Sequence, residues 1–263
     1  MRLNSKFILP KLIGHRGVKN LKPENTLESI TEAFDLGLEC VEIDVKVSKD
    51  NIPLLLHDDT LDRTTNGSGL VCNFTFDQIN HLDAGYYFYN SKTDIKVPSL
   101  SSVLDLIKRK QKYLNIELKP NKNYEELNVK NILKEINRIS HDKIYFSSFD
   151  LESCIILKEA APTLKCGFLN DDFTKFNVDE TIDICKKYSF FSCGINLNFF
   201  SNSIVNKFIE NDIQVTVYAD NNISKAQAQN LWSNKVASIF PIASLPLPIF
   251  VNTSNIASII SGI

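Results

Sequence analysis

Four short stretches of this 263-residue sequence gather the residue types that move protons and hold phosphate or metal ions. They are Gly14-His15-Arg16-Gly17, the pair Glu42 and Asp44, the dipeptide His57-Asp58, and the pair Glu117 and Lys119. Imidazole titrates near neutral pH, so His15 and His57 are candidates for a general acid and base. Arg16 and Lys119 carry fixed positive charge suited to phosphoryl oxygens. Glu42, Asp44 and Glu117 offer only oxygen donors, which suit a hard divalent cation, Mg²⁺ or Ca²⁺, rather than zinc.

Spacing says how these groups are presented. Side chains two apart on a strand point the same way, so Glu42 and Asp44 project together while Val41, Ile43 and Val45 face an apolar layer. Glu117 and Lys119 share a face in the same manner, against Ile116 and Leu118. Carboxylates gathered this way repel one another and lose hydration unless a cation compensates. The plainer alternative is a solvated strand face, with Glu117 bridged to Lys119 and Arg16 paired to a carboxylate. Two such pairs on otherwise apolar strands, with a His closing each flanking run, favour a site. His81 and His141 fall elsewhere and receive no role.

The elements that must position these groups alternate along the chain. Strands are expected at 11–15, 40–47, 113–118, 143–148, 164–169, 193–197, 214–218 and 236–240. Helices are expected at 24–37, 101–110, 124–139, 151–160, 179–188, 202–211 and 223–232, with apolar residues three and four apart as in Leu127, Ile132, Leu133, Ile136 and Ile139. Asp150 and Asn202 read as helix caps. Eight strands and seven helices match an α/β fold of the (β/α)8 TIM-barrel kind, although an open doubly wound sheet alternates similarly. Residues 52–57 form a ninth strand-like run, returning as a hairpin after the turn at Asp50-Asn51. The stretch 59–98 is too long for an ordinary loop and is expected to be a small cap insertion in one domain spanning 1–263. Within it, 62–67 reads as a polar turn whose charges pair among themselves. Lys22-Pro23-Glu24-Asn25-Thr26 opens the first helix, with Asn25 or Thr26 as its cap.

Composition narrows the partners. With 29 Lys+Arg against 31 Asp+Glu the net charge is −2, leaving no basic surplus to neutralise a nucleic acid. The six cysteines show no C-x-x-C pair and read as buried thiols. The N-terminal apolar run is broken by Pro10 and Lys11, unlike a secretory signal, so a cytoplasmic location is expected. From Val236 to Ile263 there is no charge, but Pro241, Pro246 and Pro248 interrupt the run. A last strand and a short packed helix are expected there, with no integral membrane segment.

Taken together, these stretches resemble the glycerophosphodiester phosphodiesterase family, most nearly its small cytosolic bacterial form. The likeness runs over about 11–235 and rests on an ordered set of motifs. They begin with His15-Arg16-Gly17, Pro23-Glu24-Asn25-Thr26, Glu42-x-Asp44, His57-Asp58 and Leu61-Asp62-Arg63-Thr64. They continue with Asp83-Ala84-Gly85, Pro98-Ser99-Leu100, Asn115-Ile116-Glu117-Leu118-Lys119-Pro120, Ser147-Ser148-Phe149, Asn196-Leu197-Asn198 and Val217-Tyr218. The stretch 235–242 departs from the Gly-Val-Asp run, then Thr-Asp, that the family carries near its eighth strand, and Ala219-Asp220-Asn221 after Tyr218 also deviates from the family's pattern.

The resemblance implies a metal-dependent barrel of glycerol and lipid metabolism, a hydrolase that cleaves glycerophosphodiesters to sn-glycerol 3-phosphate and an alcohol. By position, His15 and His57 become the acid/base pair, and Glu42, Asp44 and Glu117 the ligands of Mg²⁺ or Ca²⁺. Arg16 and Lys119 become phosphate contacts and Phe149 part of the glycerol pocket. A small-molecule substrate is expected, with room for a homodimer. Two alternatives use the same barrel. One is a lysophospholipase D or phospholipase C-like activity, with Phe74, Phe76 and Tyr86–Tyr89 cradling an acyl chain; the other is a non-catalytic binder of phospholipid head groups.

Overall fold

A computed structural model describes residues 7–138 and 140–241. In chain order its elements are α1 (Leu27–Asp35), β1 (Cys40–Val47), β2 (Pro53–Leu55), α2 (Phe76–Asn80), α3 (Tyr86–Tyr89), α4 (Leu100–Lys110), β3 (Tyr113–Leu118) and α5 (Glu125–Ile136). Then follow β4 (Ile144–Ser148), α6 (Leu151–Ala160), β5 (Cys166–Asn170), α7 (Val178–Tyr188), β6 (Ser192–Asn196), α8 (Asn202–Glu210), β7 (Gln214–Tyr218), α9 (Lys225–Ser233) and β8 (Ser238–Phe240).

The sheet runs β2-β1-β3-β4-β5-β6-β7-β8, parallel throughout except for the β1–β2 hairpin. Its two ends meet through residues 11–14. Ile239 N donates to Lys11 O, and Ile13 N donates to Ile239 O. On the other side Gly14 N donates to Cys40 O, and Glu42 N donates to Gly14 O. The result is a TIM-barrel-like fold. The strand expected at 11–15 is thus reduced to bridges at Leu12 and Gly14. The chain turns away immediately afterwards, with left-handed φ of 53° at Arg16 and 82° at Gly17. A Cβ on Gly17 would also run into Ser29, so only glycine fits there.

Alternation along β1 sorts its side chains as the spacing predicts. Val41, Ile43 and Val45 pack into the main apolar cluster with Ile30, Phe34, Leu104, Ile116, Leu118 and Ile132. The opposite face carries Cys40, Glu42, Asp44 and Lys46, all buried. A separate cluster of Leu9, Ile13, Cys40, Tyr145 and Phe240 runs from the start of β1 to the last residue of β8, with Phe7 stacked edge-on to Tyr113 and Phe191. This apolar layer seats the charged groups of β1 and β3 above it.

Most expected elements are present within about two residues of their expected bounds. The hairpin return is β2, with Val45 opposite Leu55, and the turn before it places Asn51 at φ 63°. The closing strand β8 forms despite the departure at 235–242. Asp150 caps α6, but Ser201 rather than Asn202 caps α8, accepting from Ile204 N at 3.3 Å. Its β-region backbone leaves the hydroxyl free to reach the first turn, while Asn202 is already helical. The helix expected after β8, and Ile139 at the end of the third expected helix, lie outside the described residues.

Residues 53–98 carry β2, α2 and α3 around their own apolar cluster of Leu54, Leu56, Leu61, Val71, Ile79, Ala84 and Val97. All six cysteines are free, five of them buried. No helix among the described residues is long and apolar enough to cross a membrane.

Candidate active site

A cavity of about 510 Å³ opens where the strands of this barrel end. Its walls include all eight residues singled out from the sequence except Asp44: His15, Arg16, Glu42, His57, Glu117, Lys119 and Phe149. Asp44 lies beneath, 1% exposed. Parallel pairing of β1 with β3 sets Asp44 beside Glu117 and Glu42 beside Asn115.

The three carboxylates Glu42, Asp44 and Glu117 each offer an oxygen within 4.8 Å of the others. Glu42 Oε1 and Asp44 Oδ1 are buried without a hydrogen-bond donor. Burial, then the charges of Asp44 and Glu117, push the Glu42 carboxyl well above its ordinary range. Burial and Asp44 likewise push Glu117 up to about 7. Against the pull of burial, Arg16 and then Lys119 hold Asp44 below the usual carboxylate range. The neighbouring cations therefore favour the anionic form of one carboxylate of the three. An oxygen set with two orphaned buried acceptors and two disfavoured anions is what a hard dication relieves, so the residues fit one.

The loop after Gly14 is fixed from several sides. Arg16 N donates to Glu42 Oε2 at 2.9 Å, and Ser29 Oγ donates to Arg16 O at 3.0 Å. The Arg16 guanidinium is itself committed, at 3.1 Å to Asp44 Oδ2 and 2.8 Å to Glu24 Oε1. Lys119 Nζ stands 2.9 Å from Glu117 and 3.7 Å from Asp44, 5.6 Å over the Phe149 ring. The plainer pairing considered for these cations is thus present, and it lies inside the cavity rather than on a solvated face.

The two imidazoles differ. Burial first, then the positive neighbours Arg16 and Lys19, hold His15 well below its ordinary pKa, and its Nδ1 has no hydrogen-bond partner. His57 is lowered by burial too, with Asp44 opposing. Its Nδ1 lies 2.7 Å from Asp58 Oδ1, so the carboxylate selects the Nδ1–H tautomer and leaves Nε2 free.

Three participants escaped the sequence reading. Asn25, expected only as a cap, donates from Nδ2 to Asp44 Oδ2 at 2.8 Å and accepts from Asp44 N at 3.1 Å, while Thr26 does the capping. Its left-handed φ of 55° is a local signal that an Asn in Pro-Glu-Asn-Thr carries more than a cap. Lys19 lines the cavity with no ion pair among the described residues. Arg63, expected to pair within its own turn, instead donates to Asp58 and Glu24, because its long fork reaches past the short side chains of 62–67. Asp62 turns to Ser68 Oγ and Gly69 N.

The far wall is aromatic and aliphatic: Leu169, Tyr218, Ala219 and Phe240. Tyr218 Oη donates to Asp171 at 2.6 Å and its ring meets Phe149 edge-on at 5.6 Å. None of Phe74, Phe76 or Tyr86–Tyr89 lines this cavity; Tyr86–Tyr89 are exposed on α3.

Residues 15–240 match the model of the glycerophosphoryl diester phosphodiesterase family. A glycerophosphodiester phosphodiesterase of Caldanaerobacter subterraneus is 39% identical over 162 residues, covering 60% of this chain and 65% of that protein. One from Bacillus altitudinis is 32% identical over 62% of this chain and 68% of its own length. The chain therefore matches about two thirds of the length of these relatives, slightly less for the first. Among solved structures, a phosphodiesterase of Oleispira antarctica in complex with the product sn-glycerol-3-phosphate superposes with TM-score 0.84 and 26% identity over 94% of this chain and 97% of that one. A glycerophosphodiester phosphodiesterase of Agrobacterium tumefaciens, at TM-score 0.76 and 23% identity over 92% and 99%, shares the fold.

Proposed function

The chain belongs to the glycerophosphoryl diester phosphodiesterase family, and from that premise we propose that it hydrolyses glycerophosphodiesters to sn-glycerol 3-phosphate and an alcohol. The observation that carries the proposal is the buried trio Glu42, Asp44 and Glu117, with orphaned oxygens, in one cavity with two imidazoles. Glu42, Asp44 and Glu117 would hold a divalent cation, Mg²⁺ or Ca²⁺. When bound, the ion supplies positive charge that stabilises the phosphoryl oxygens as negative charge builds on them.

The protein's own groups do the rest. Lys119 and Arg16 add fixed positive charge beside the phosphate, with Arg16 acting chiefly through its hold on Asp44 and Glu24. One imidazole takes the proton from the attacking oxygen, a glycerol 2-hydroxyl or a water. The other gives a proton to the alkoxide as its bond to phosphorus breaks. For His57, the Asp58 carboxylate on Nδ1 stabilises the imidazolium formed when Nε2 accepts a proton. Phe149 and Tyr218 form an apolar edge against which the glycerol carbons pack.

We read 1–263 as one barrel domain with 59–98 as a small cap at its rim, acting in the cytoplasm on a small molecule, singly or as a homodimer. A lysophospholipid would need an apolar lining for its acyl chain, and the aromatic residues of the insertion stand away from the cavity. A coupled assay of glycerol 3-phosphate release from sn-glycero-3-phosphocholine tests the proposal. Product should form with Mg²⁺ or Ca²⁺, cease with EDTA and return when the ion is restored. No product under any metal condition contradicts it.

A further inference from the structure

We infer that Arg63 is a positioning residue that sets the orientation of both His57 and Arg16, joining the proton-transfer side of the site to its carboxylate side. This inference rests on the acid/base reading of His57 given above.

The geometry is a continuous relay. His57 Nδ1 lies 2.7 Å from Asp58 Oδ1. Arg63 takes both oxygens of Asp58, through Nε to Oδ2 at 2.6 Å and Nη2 to Oδ1 at 3.0 Å. With its remaining donors it takes both oxygens of Glu24, through Nη1 to Oε2 at 3.0 Å and Nη2 to Oε1 at 2.8 Å. Glu24 Oε1 also accepts from Arg16 Nη1 at 2.8 Å, and Arg16 Nε stands 3.1 Å from Asp44 Oδ2. One planar guanidinium thus clamps two carboxylates by forked bonds, each carboxylate holding a group of the cavity. An ammonium has no such two-sided fork.

Chemistry says what the clamp is for. The Arg63 side chain is 47% exposed, and exposed ion pairs add little to folding stability. Its value lies in geometry, since Asp58 can fix the Nδ1–H tautomer and ring plane of His57 only while its own two oxygens are fixed. The same exposure leaves the position open to a small guanidinium ion from solution. Arg63 also comes from the insertion that follows β2, so the relay ties that insertion to the loop bearing Arg16 and to the start of the first helix.

The test compares Arg63→Gln, Arg63→Lys and Arg63→Ala in steady-state hydrolysis of sn-glycero-3-phosphocholine with saturating Mg²⁺ or Ca²⁺. Arg63→Gln should lower kcat by about tenfold to a hundredfold, the range for removing a group that orients an active-site ligand, and leave KM within about twofold. Arg63→Lys should not recover it. Added guanidinium ion should restore part of the Arg63→Ala rate, whereas sodium chloride of equal ionic strength should not. A kcat within about twofold of wild type, or a loss that guanidinium fails to restore, overturns the inference. His57→Ala, assayed alongside, separates the two levels of the account. If it is inactive while Arg63→Gln is normal, only the relay falls; if it retains wild-type turnover, the acid/base reading falls and the relay with it.

Discussion

On the β1–β3 side of the cavity Glu42, Asp44 and Glu117 are buried and joined through Arg16, Asn25 and Lys119. On the β5–β8 side stand Leu169, Tyr218, Ala219 and Phe240, and the acids there, Asp171 and Asp220, lie exposed at the rim. Charge taken out of water must be paired, so on the first side each group depends on two or three others and a single change propagates. Aromatic and aliphatic groups need only contact, so on the second side a change stays local. Under the proposed function, chemistry belongs to the first side and substrate shape to the second.

The largest expected effect lies where proton transfer is placed. His15→Ala and His57→Ala should each lower turnover by about a hundredfold or more, the lower range for an acid or base, with far-UV circular dichroism unchanged. Near-normal rates in both would erase the distinction between the two sides. A smaller effect is expected at the wall. Phe149→Ala removes a half-exposed ring that touches Tyr218 and should raise KM by roughly three- to tenfold with kcat little changed, the size of a partial loss of apolar contact. A fall in kcat without a change in KM would move Phe149 to the chemical side. The smallest effect concerns acid stability. Donation from Arg63, then contact with His57, holds Asp58 down to about 2 against an ordinary 3.8. Its folded pKa is depressed, so its stabilisation is present above about pH 4 and is lost as the pH falls toward 2. Acid unfolding followed by circular dichroism should show this component in wild type and lack it in Asp58→Asn.

The same contrast governs how much could be read from sequence. Period-two alternation placed Glu42 with Asp44 and Glu117 with Lys119, because one strand's pleat fixes which neighbours share a face. It could not supply the register that sets Asp44 beside Glu117, which depends on pairing across 73 positions of chain. Helix and strand periods gave the alternating architecture. Closure through residues 11–14 was legible only as a strand, because the two bridges that make it a seam belong to both ends of the sheet. Asn25 and Arg63 were misread for one reason: each looked satisfied by neighbours in sequence, a helix start in one case and a polar turn in the other. Their partners come from distant elements, and local pattern carries no signal of that.

The measurement that bears most directly on the account is thermal unfolding of wild type, Asp44→Asn and Glu117→Gln across a titration of Mg²⁺ or Ca²⁺. A cation held by the trio should raise the wild-type Tm with a stabilisation of about 2.7 kcal/mol at a hundredfold excess over Kd, and both variants should lose that rise. A wild-type Tm unmoved by either ion, or raised equally in the variants, would contradict a cation centre at Glu42, Asp44 and Glu117.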